Sequence, residues 1–299
     1  MAATAPVTHD MESCLLRPGN TNCGGCGMST GLTMLGRALA EAHDTCTLVI
    51  PACCGIVTAG RFPTTSYGVP TIATTFASSA AVASGVASIR DLNGEPGQVI
   101  CWAGDGGTYD IGLATLSAAA ERNENIIYIC YDNEIYGNTG GQRSSATPAG
   151  ARTATTPFGK AEGKKDIMSI MTAHRIPYAA TLSIAHPEDF AQKIATALSF
   201  EGMRFLLIHS PCPTGWKSEP GESVELVRTA VESGLFPVYE VFDGANYRIN
   251  VTPNGADPAD YFEKQRRFKD EDIDLDAVRK SCAARTRRLR LLAEQFPHT

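Results

Sequence analysis

At 299 residues, 43% hydrophobic and with a formal net charge of −6, the chain can bury a substantial core, as one large domain or two smaller ones. The mild negative charge argues against nucleic acid as a partner, and no run approaches the roughly 18 to 20 apolar residues that a membrane-spanning helix needs. Met1 to Glu12 hold no apolar run of the kind that marks an export signal. A reducing cytoplasm is therefore expected, where the ten cysteines are more often ligands or small buried hydrophobes than disulfides.

In chain order, a helix is predicted from Met28 to Ala42, a strand from Thr47 to Ile50 and a small-residue helix from Ala77 to Leu92. Strand Val99 to Ala103 runs through Gly104-Asp105-Gly106-Gly107 into a helix from Gly112 to Arg122. Ile126 to Asp132 is a strand, and Asn138 to Pro157, rich in Gly, Thr, Ser and Ala, is a loop long enough to be functional. Helix Lys165 to His174, strand Tyr178 to Thr181, helix Pro187 to Ser199 and strand Arg204 to Ser210 follow. Pro187 with Glu188 and Asp189 suits a first helical turn, where a missing N–H costs little and negative charge is favoured. From about Ser218 the pattern loosens, and the chain closes on a charged helix from Leu275 to Gln295. Strands alternating with helices predict an α/β fold with a mostly parallel sheet flanked by helices. The expected division is a main domain at 1–217 and a C-terminal extension at 218–299, packed on the same domain or on a partner subunit.

The Gly104–Gly107 turn sits at the carboxyl end of a strand, where open α/β sheets bind ligands. Its glycines let backbone N–H groups approach a diphosphate, and Asp105 would coordinate Mg2+, a hard cation that takes oxygen ligands. Alone, Gly-Asp-Gly is most often a plain turn. Asn133, however, lies 28 positions after Asp105 at the end of the next strand, so the two can meet. The Asn133 side-chain oxygen and the Ile135 carbonyl would complete the protein's share of the metal ligands. This spacing resembles the diphosphate-binding motif of thiamine diphosphate enzymes.

The resemblance extends beyond one motif. Gly104 to Gly112, Tyr131 to Gln142 and Ala146-Thr147-Pro148 look like the β subunit of the 2-oxoacid:ferredoxin oxidoreductases, and Val69-Pro70, Ala80 to Gly85 and Pro211 to Trp216 are similar to that family too. Pyruvate synthases and phenylglyoxylate dehydrogenases are of this kind. The resemblance implies a thiamine diphosphate-binding fold and CoA-dependent oxidative decarboxylation of a 2-oxo acid. Pyruvate is the first expectation, with phenylglyoxylate or another bulky 2-oxo acid as the alternative.

Cys23-Gly24-Gly25-Cys26 by itself fits zinc, a redox dithiol or an iron–sulfur cluster, although the close second pair of a zinc ribbon is missing. In the family, a [4Fe-4S] cluster is held by such a pair, a cysteine after the next strand and one after a late strand. Carried over by position, these are Cys23, Cys26, Cys54 and Cys212. Cys53 rivals Cys54, but adjacent residues on an extended chain face opposite ways, so one of them ligates and the alignment favours Cys54. Cys101 and Cys130 lie within apolar strands and read as core; Cys14, Cys46 and Cys282 are assigned no role. His209 and Trp216 flank Cys212 and read as packing or as contacts around the cluster.

Asn138 follows the metal ligands in a tight turn and is placed beside the reacting centre or the aminopyrimidine, with a plain turn-forming role as the alternative. Gly137 before it either only permits the turn or leaves room for a bulky acyl group. The carboxylate that activates thiamine comes, in this family, from another domain for which no block is found here. The resemblance thus implies α-, γ- and δ-type partner subunits that supply it, and ferredoxin or another electron acceptor. Two rival readings are a zinc-binding structural subunit and a thiamine decarboxylase or synthase without redox chemistry. The second has no need of four cysteines around its cofactor.

Overall fold

The computed structural model describes residues 15–60, 65–269 and 273–298; Met1 to Glu12 and Cys14 lie outside them. Helix α1 (Gly27–Glu41) precedes β1 (Cys46–Pro51), β2 (Thr71–Thr74), α2 (Ser79–Asn93), β3 (Gln98–Gly104), α3 (Leu113–Glu121) and β4 (Ile127–Asp132). Then come α4 (Ile167–Ala173), β5 (Tyr178–Ser183), α5 (Pro187–Ser199), β6 (Arg204–His209) and the single turn α6 (Pro213–Trp216). The chain continues through α7 (Ser223–Glu232), β7 (Val238–Phe242), β8 (Asn246–Val251), α8 (Ala259–Glu263) and α9 (Leu275–Gln295).

The eight strands form one sheet in the order β2-β1-β3-β4-β6-β5-β7-β8. β1 to β6 pair in parallel, and β7 and β8 add antiparallel at one end. Every residue of β1, β4, β5 and β6 is buried, as a parallel sheet covered on both faces requires. Leu32, Leu35 and Leu39 of α1 and Phe190 and Ile194 of α5 pack over one face, against Leu48, Ile100 and Ile129. Over the other lie the small residues Ala80, Ala83 and Ala87 of α2 with α3, α4, α7, α8 and α9.

Local chemistry sets several ends. Asp166 caps α4, its carboxylate accepting from the Ser169 N–H at 3.0 Å, and Asp274 caps α9 through Ala277 at 2.9 Å; each satisfies a donor left open in the first turn. Pro187 opens α5, with Glu188 and Asp189 in its first turn.

The segment after Ser218, where the sequence pattern loosens, supplies α7 and extends the same sheet through β7 and β8. Glu240 interrupts the apolar run there, yet it is fully buried. Arg248, Asn250 and Tyr178 satisfy its carboxylate at 2.6–2.9 Å.

Candidate functional site

Strand order carries the site. β1, β3, β4 and β6 are consecutive neighbours running the same way, so the residues after their carboxyl ends share one rim. These are Cys53-Cys54, Asp105, Asn133 and Cys212. The order also reverses between β1 and β3, the point at which open sheets leave a crevice. Ser210 N–H donates to the Asp132 carbonyl at 2.9 Å, which continues the β4–β6 pairing and draws Cys212 beside Asn133.

Gly104 pairs with Tyr131, and the chain then makes a wide turn in which Ile111 N–H reaches the Gly106 carbonyl at 3.2 Å. Such π-type turns recur at functional sites. A Cβ at Gly106 would lie 2.2 Å from Cε1 of Tyr136, whose hydroxyl donates to Asp110 at 2.7 Å. We therefore expect Gly106→Ala to cost about 1–3 kcal/mol through overpacking and to loosen the turn. Thermal unfolding together with retained thiamine diphosphate checks this, and an unchanged variant would refute it.

Asp105 is 2% exposed. Among the described residues its carboxylate takes a hydrogen bond from the Ser144 hydroxyl and no ion pair. Burial, and then the negative charge of Asp132, raise its pKa well above the usual carboxylate range. A buried carboxylate with no ion pair of its own, the nearby Lys164 only partly offsetting burial and Asp132, suits a divalent cation. Asn133 and Ile135 are buried beside it; Asn133 Oδ1 accepts from Ile135 N–H at 3.3 Å, and the Asn133 carbonyl accepts from the Trp216 indole at 2.8 Å. These residues fit a Mg2+-diphosphate group.

The thiols gather at the same rim. Gly27 N–H donates to the Pro211 carbonyl at 2.9 Å, and a Cβ at Gly27 would lie 2.5 Å from the Pro211 nitrogen. That close approach brings the Cys23–Cys26 loop onto the Cys212 segment. The Thr214 hydroxyl lies 3.7 Å from Cys23 Sγ, and Gly215 N–H donates to Cys212 Sγ at 3.3 Å. Burial pushes the Cys54 thiol up to about 12, helped by Cys212, Cys53 and Cys26. Cys212 rises to about 11 through burial, with Cys26 and Cys23 contributing. Cys54 Sγ is also 3.8 Å from Asn138 Oδ1. Among the described residues, no three Cys, His, Asp or Glu close on a point that would hold one metal ion. Bound to an iron–sulfur cluster or to zinc, these cysteines would act as thiolates, and it is as thiolates that they would repel one another.

Cys53 faces away, 6% exposed in the core under α1. The reason differs from an extended chain, since Cys54 has helical dihedrals, φ −52° and ψ −40°, and begins a wide turn over Gly55–Ala59. Asn138 is exposed in this chain and its side-chain oxygen lies next to Cys54 Sγ. Gly137 lies against the thiols: a Cβ there would sit at ordinary contact distance, 3.5 Å from Cys54 Sγ and 3.7 Å from Cys212 Sγ. Cys101 and Cys130 are fully buried in β3 and β4. His209 packs among Trp216, Phe236 and Tyr261, and burial pushes its pKa down to about 3. Glu134, Lys164 and Arg267, which sequence reasoning passed over, form an ion-pair group behind the Asn133–Ile135 loop, with Glu134 and Arg267 buried and Lys164 partly exposed. The charged triple Asp132-Asn133-Glu134 directly after an apolar strand was the available signal.

A strand-end Gly-Asp-Gly turn facing an Asn on the neighbouring strand defines a thiamine diphosphate-binding domain. Residues 53–209 match the thiamine pyrophosphate enzyme C-terminal TPP binding domain. The chain is 42% identical to the ketoisovalerate oxidoreductase subunit VorB of Pyrococcus horikoshii, with 93% of each chain covered. It is 43% identical to the pyruvate synthase subunit PorB of Methanothermobacter marburgensis, over 86% of this chain and 91% of that one. The 2-oxoglutarate:ferredoxin oxidoreductase from Magnetococcus marinus shares the fold, with a TM-score of 0.62 at 24% identity over 92% of this chain and 98% of that one. The chain belongs to the β subunits of the 2-oxoacid:ferredoxin oxidoreductases. Among the described residues, no helix is long and apolar enough to cross a membrane.

Proposed function

We propose that this subunit holds Mg2+ and thiamine diphosphate through Asp105, Asn133 and the Ile135 carbonyl, and one [4Fe-4S] cluster through Cys23, Cys26, Cys54 and Cys212. The observation that carries this is the shared rim: Asp105, Cys54 and Cys212 follow the carboxyl ends of β3, β1 and β6, and the Cys23–Cys26 loop is drawn onto the Cys212 segment. The reaction is CoA-dependent oxidative decarboxylation of a 2-oxo acid, with ferredoxin or a similar carrier as acceptor. When bound, thiamine diphosphate accepts the electron pair left as carbon dioxide departs, and an iron–sulfur cluster passes electrons on singly.

This chain's own residues bind and orient. The Gly104–Gly107 turn offers backbone N–H groups to the diphosphate, Asp105 supplies the charge that fixes the metal, and Trp216 holds the loop that carries Asn133. Asn138 sets a carboxamide beside the Cys54 sulfur, between the metal loop and the thiols. The carboxylate that activates thiamine is contributed by a partner subunit of the same complex, in line with relatives that are themselves named as subunits.

Pyruvate is the first substrate proposed. A bulkier 2-oxo acid is the second reading, favoured by the near-full-length likeness to a ketoisovalerate oxidoreductase subunit. Steady-state assays of the whole complex with pyruvate, 2-oxoisovalerate, 2-oxoglutarate and phenylglyoxylate, with a viologen dye as acceptor, decide between them by kcat/KM. Activity with none of these would refute the proposal. Because residue 137 lies between two thiols, Gly137→Met is expected to lower bound iron and to cut kcat/KM for every substrate alike. A loss confined to the bulkiest substrate, at full iron content, would instead return Gly137 to the acyl pocket.

A further inference from the structure

Glu134 lies between Asn133 and Ile135 with φ at +62°. This left-handed conformation costs an L-residue energy and persists only where the surroundings impose it. Its backbone is pinned at both ends: Glu134 N–H donates to Asp132 Oδ1 at 3.1 Å, and its carbonyl accepts from the Thr147 hydroxyl at 2.7 Å. Its side chain is 4% exposed and is held by Lys164 at 2.9 Å, by the Arg267 guanidinium and by the Tyr261 hydroxyl at 3.5 Å.

Arg267 does more than neutralise. Its guanidinium also stacks on Trp216, 4.3 Å from the ring centroid, and the Trp216 indole donates to the Asn133 carbonyl at 2.8 Å. One side chain, 130 residues downstream of the loop to within a few positions, thus grips the residue after Asn133 and the ring that holds Asn133 itself. Lys164 contacts Asp132 at 2.6 Å as well as Glu134, so the loop would keep one cation without Arg267 but would lose this two-sided grip.

We propose that Arg267 is a positioning residue for the metal-binding loop, clamping Asn133 and Ile135 in the geometry that the Mg2+-diphosphate group needs. The inference rests on the reading that these two residues and Asp105 hold that group. Arg267 sits behind the loop, so its effect passes through Glu134 and Trp216.

Sign separates this role from simple electrostatics. Removing a nearby positive charge would by itself tighten Mg2+ binding, whereas a loosened loop weakens it. Lysine keeps the charge but lacks the planar fork that pairs with a carboxylate while stacking on a ring.

The test is a Mg2+ titration of thiamine diphosphate binding to the whole complex carrying wild-type chain, Arg267→Gln, Arg267→Lys or Asp105→Ala, with thermal midpoint and iron content measured alongside. For Arg267→Gln, the Mg2+ concentration at half-saturation is expected to rise on the order of tenfold, as for other residues that orient metal ligands, with iron content unchanged. Arg267→Lys should fall between it and wild type. An unchanged or lowered Mg2+ requirement in Arg267→Gln would overturn the inference, as would parallel loss of iron and cofactor. If Arg267→Gln does not fold, Arg267→Lys decides alone: a raised requirement supports the clamp and a wild-type value overturns it. If binding in the wild type is indifferent to Mg2+ or to Asp105→Ala, the metal-site reading itself fails, and the clamp with it.

Discussion

Asp105→Ala is expected to strip Mg2+ and thiamine diphosphate from the protein while leaving its fold and iron in place. The carboxylate is buried with no ion pair among the described residues, and burial with the Asp132 charge, only partly offset by Lys164, already disfavours its ionised form. Its removal relieves an unfavourable buried charge, so stability should hold or rise slightly. The metal, in contrast, loses its only charged ligand from this chain. Substitutions that merely orient metal ligands cost about 10–100-fold in affinity, and loss of the ligand itself should exceed that. Thiamine diphosphate and magnesium content of the purified variant check the prediction; full occupancy would sink it.

The second large effect separates two adjacent residues. Cys54→Ala is expected to abolish the iron–sulfur cluster, whereas Cys53→Ala should keep it. Cys54 Sγ faces Asn138 and shares its surroundings with Cys212 and Cys26. The Cys53 thiol lies in the core beside Tyr131 and is pushed up by burial. Trimming Cys53 leaves a cavity of one sulfur atom, a packing loss of about 1 kcal/mol, and removes its hydrogen bond with the Tyr131 hydroxyl, without touching the cluster ligands. Iron and acid-labile sulfide in the two variants decide the matter, and the reverse pattern would assign the ligand to Cys53.

The central strands were legible because a strand buried on both faces must be apolar along its whole length. Val99–Ala103 and Arg204–Ser210, expected from such runs, lie within one or two residues of β3 and β6. β2 was not legible: it is a four-residue edge strand, Thr71–Thr74, with its middle residues exposed, so no buried face writes a pattern. β8 did carry alternation, and Asp243-Gly244 before it, both at positive φ, is a hairpin signal. Glu240 masked it, because its burial depends on Arg248 and Asn250 further along the chain.

The same division runs through the site. Asp105 and Asn133 each follow an apolar strand closely, so their convergence could be read from spacing once the strands were placed, whereas Cys54 and Cys212 were singled out by the family resemblance. Arg267 could not be read, since nothing local ties it to Glu134. Gly137 was only partly legible, for a related reason. Its position in the turn is local, but the neighbours that give it meaning, Cys54 and Cys212, arrive from β1 and β6.

The measurement that bears most directly on the central claim is the visible absorbance of the purified complex under anaerobic conditions as a 2-oxo acid and CoA are added. A complex with this subunit should be brown, should bleach on addition of substrate, and should lose that bleaching, but not its colour, in Asp105→Ala. A colourless chain loaded with zinc, or substrate bleaching that survives Asp105→Ala, would contradict a thiamine diphosphate site feeding electrons to a cluster held by Cys23, Cys26, Cys54 and Cys212.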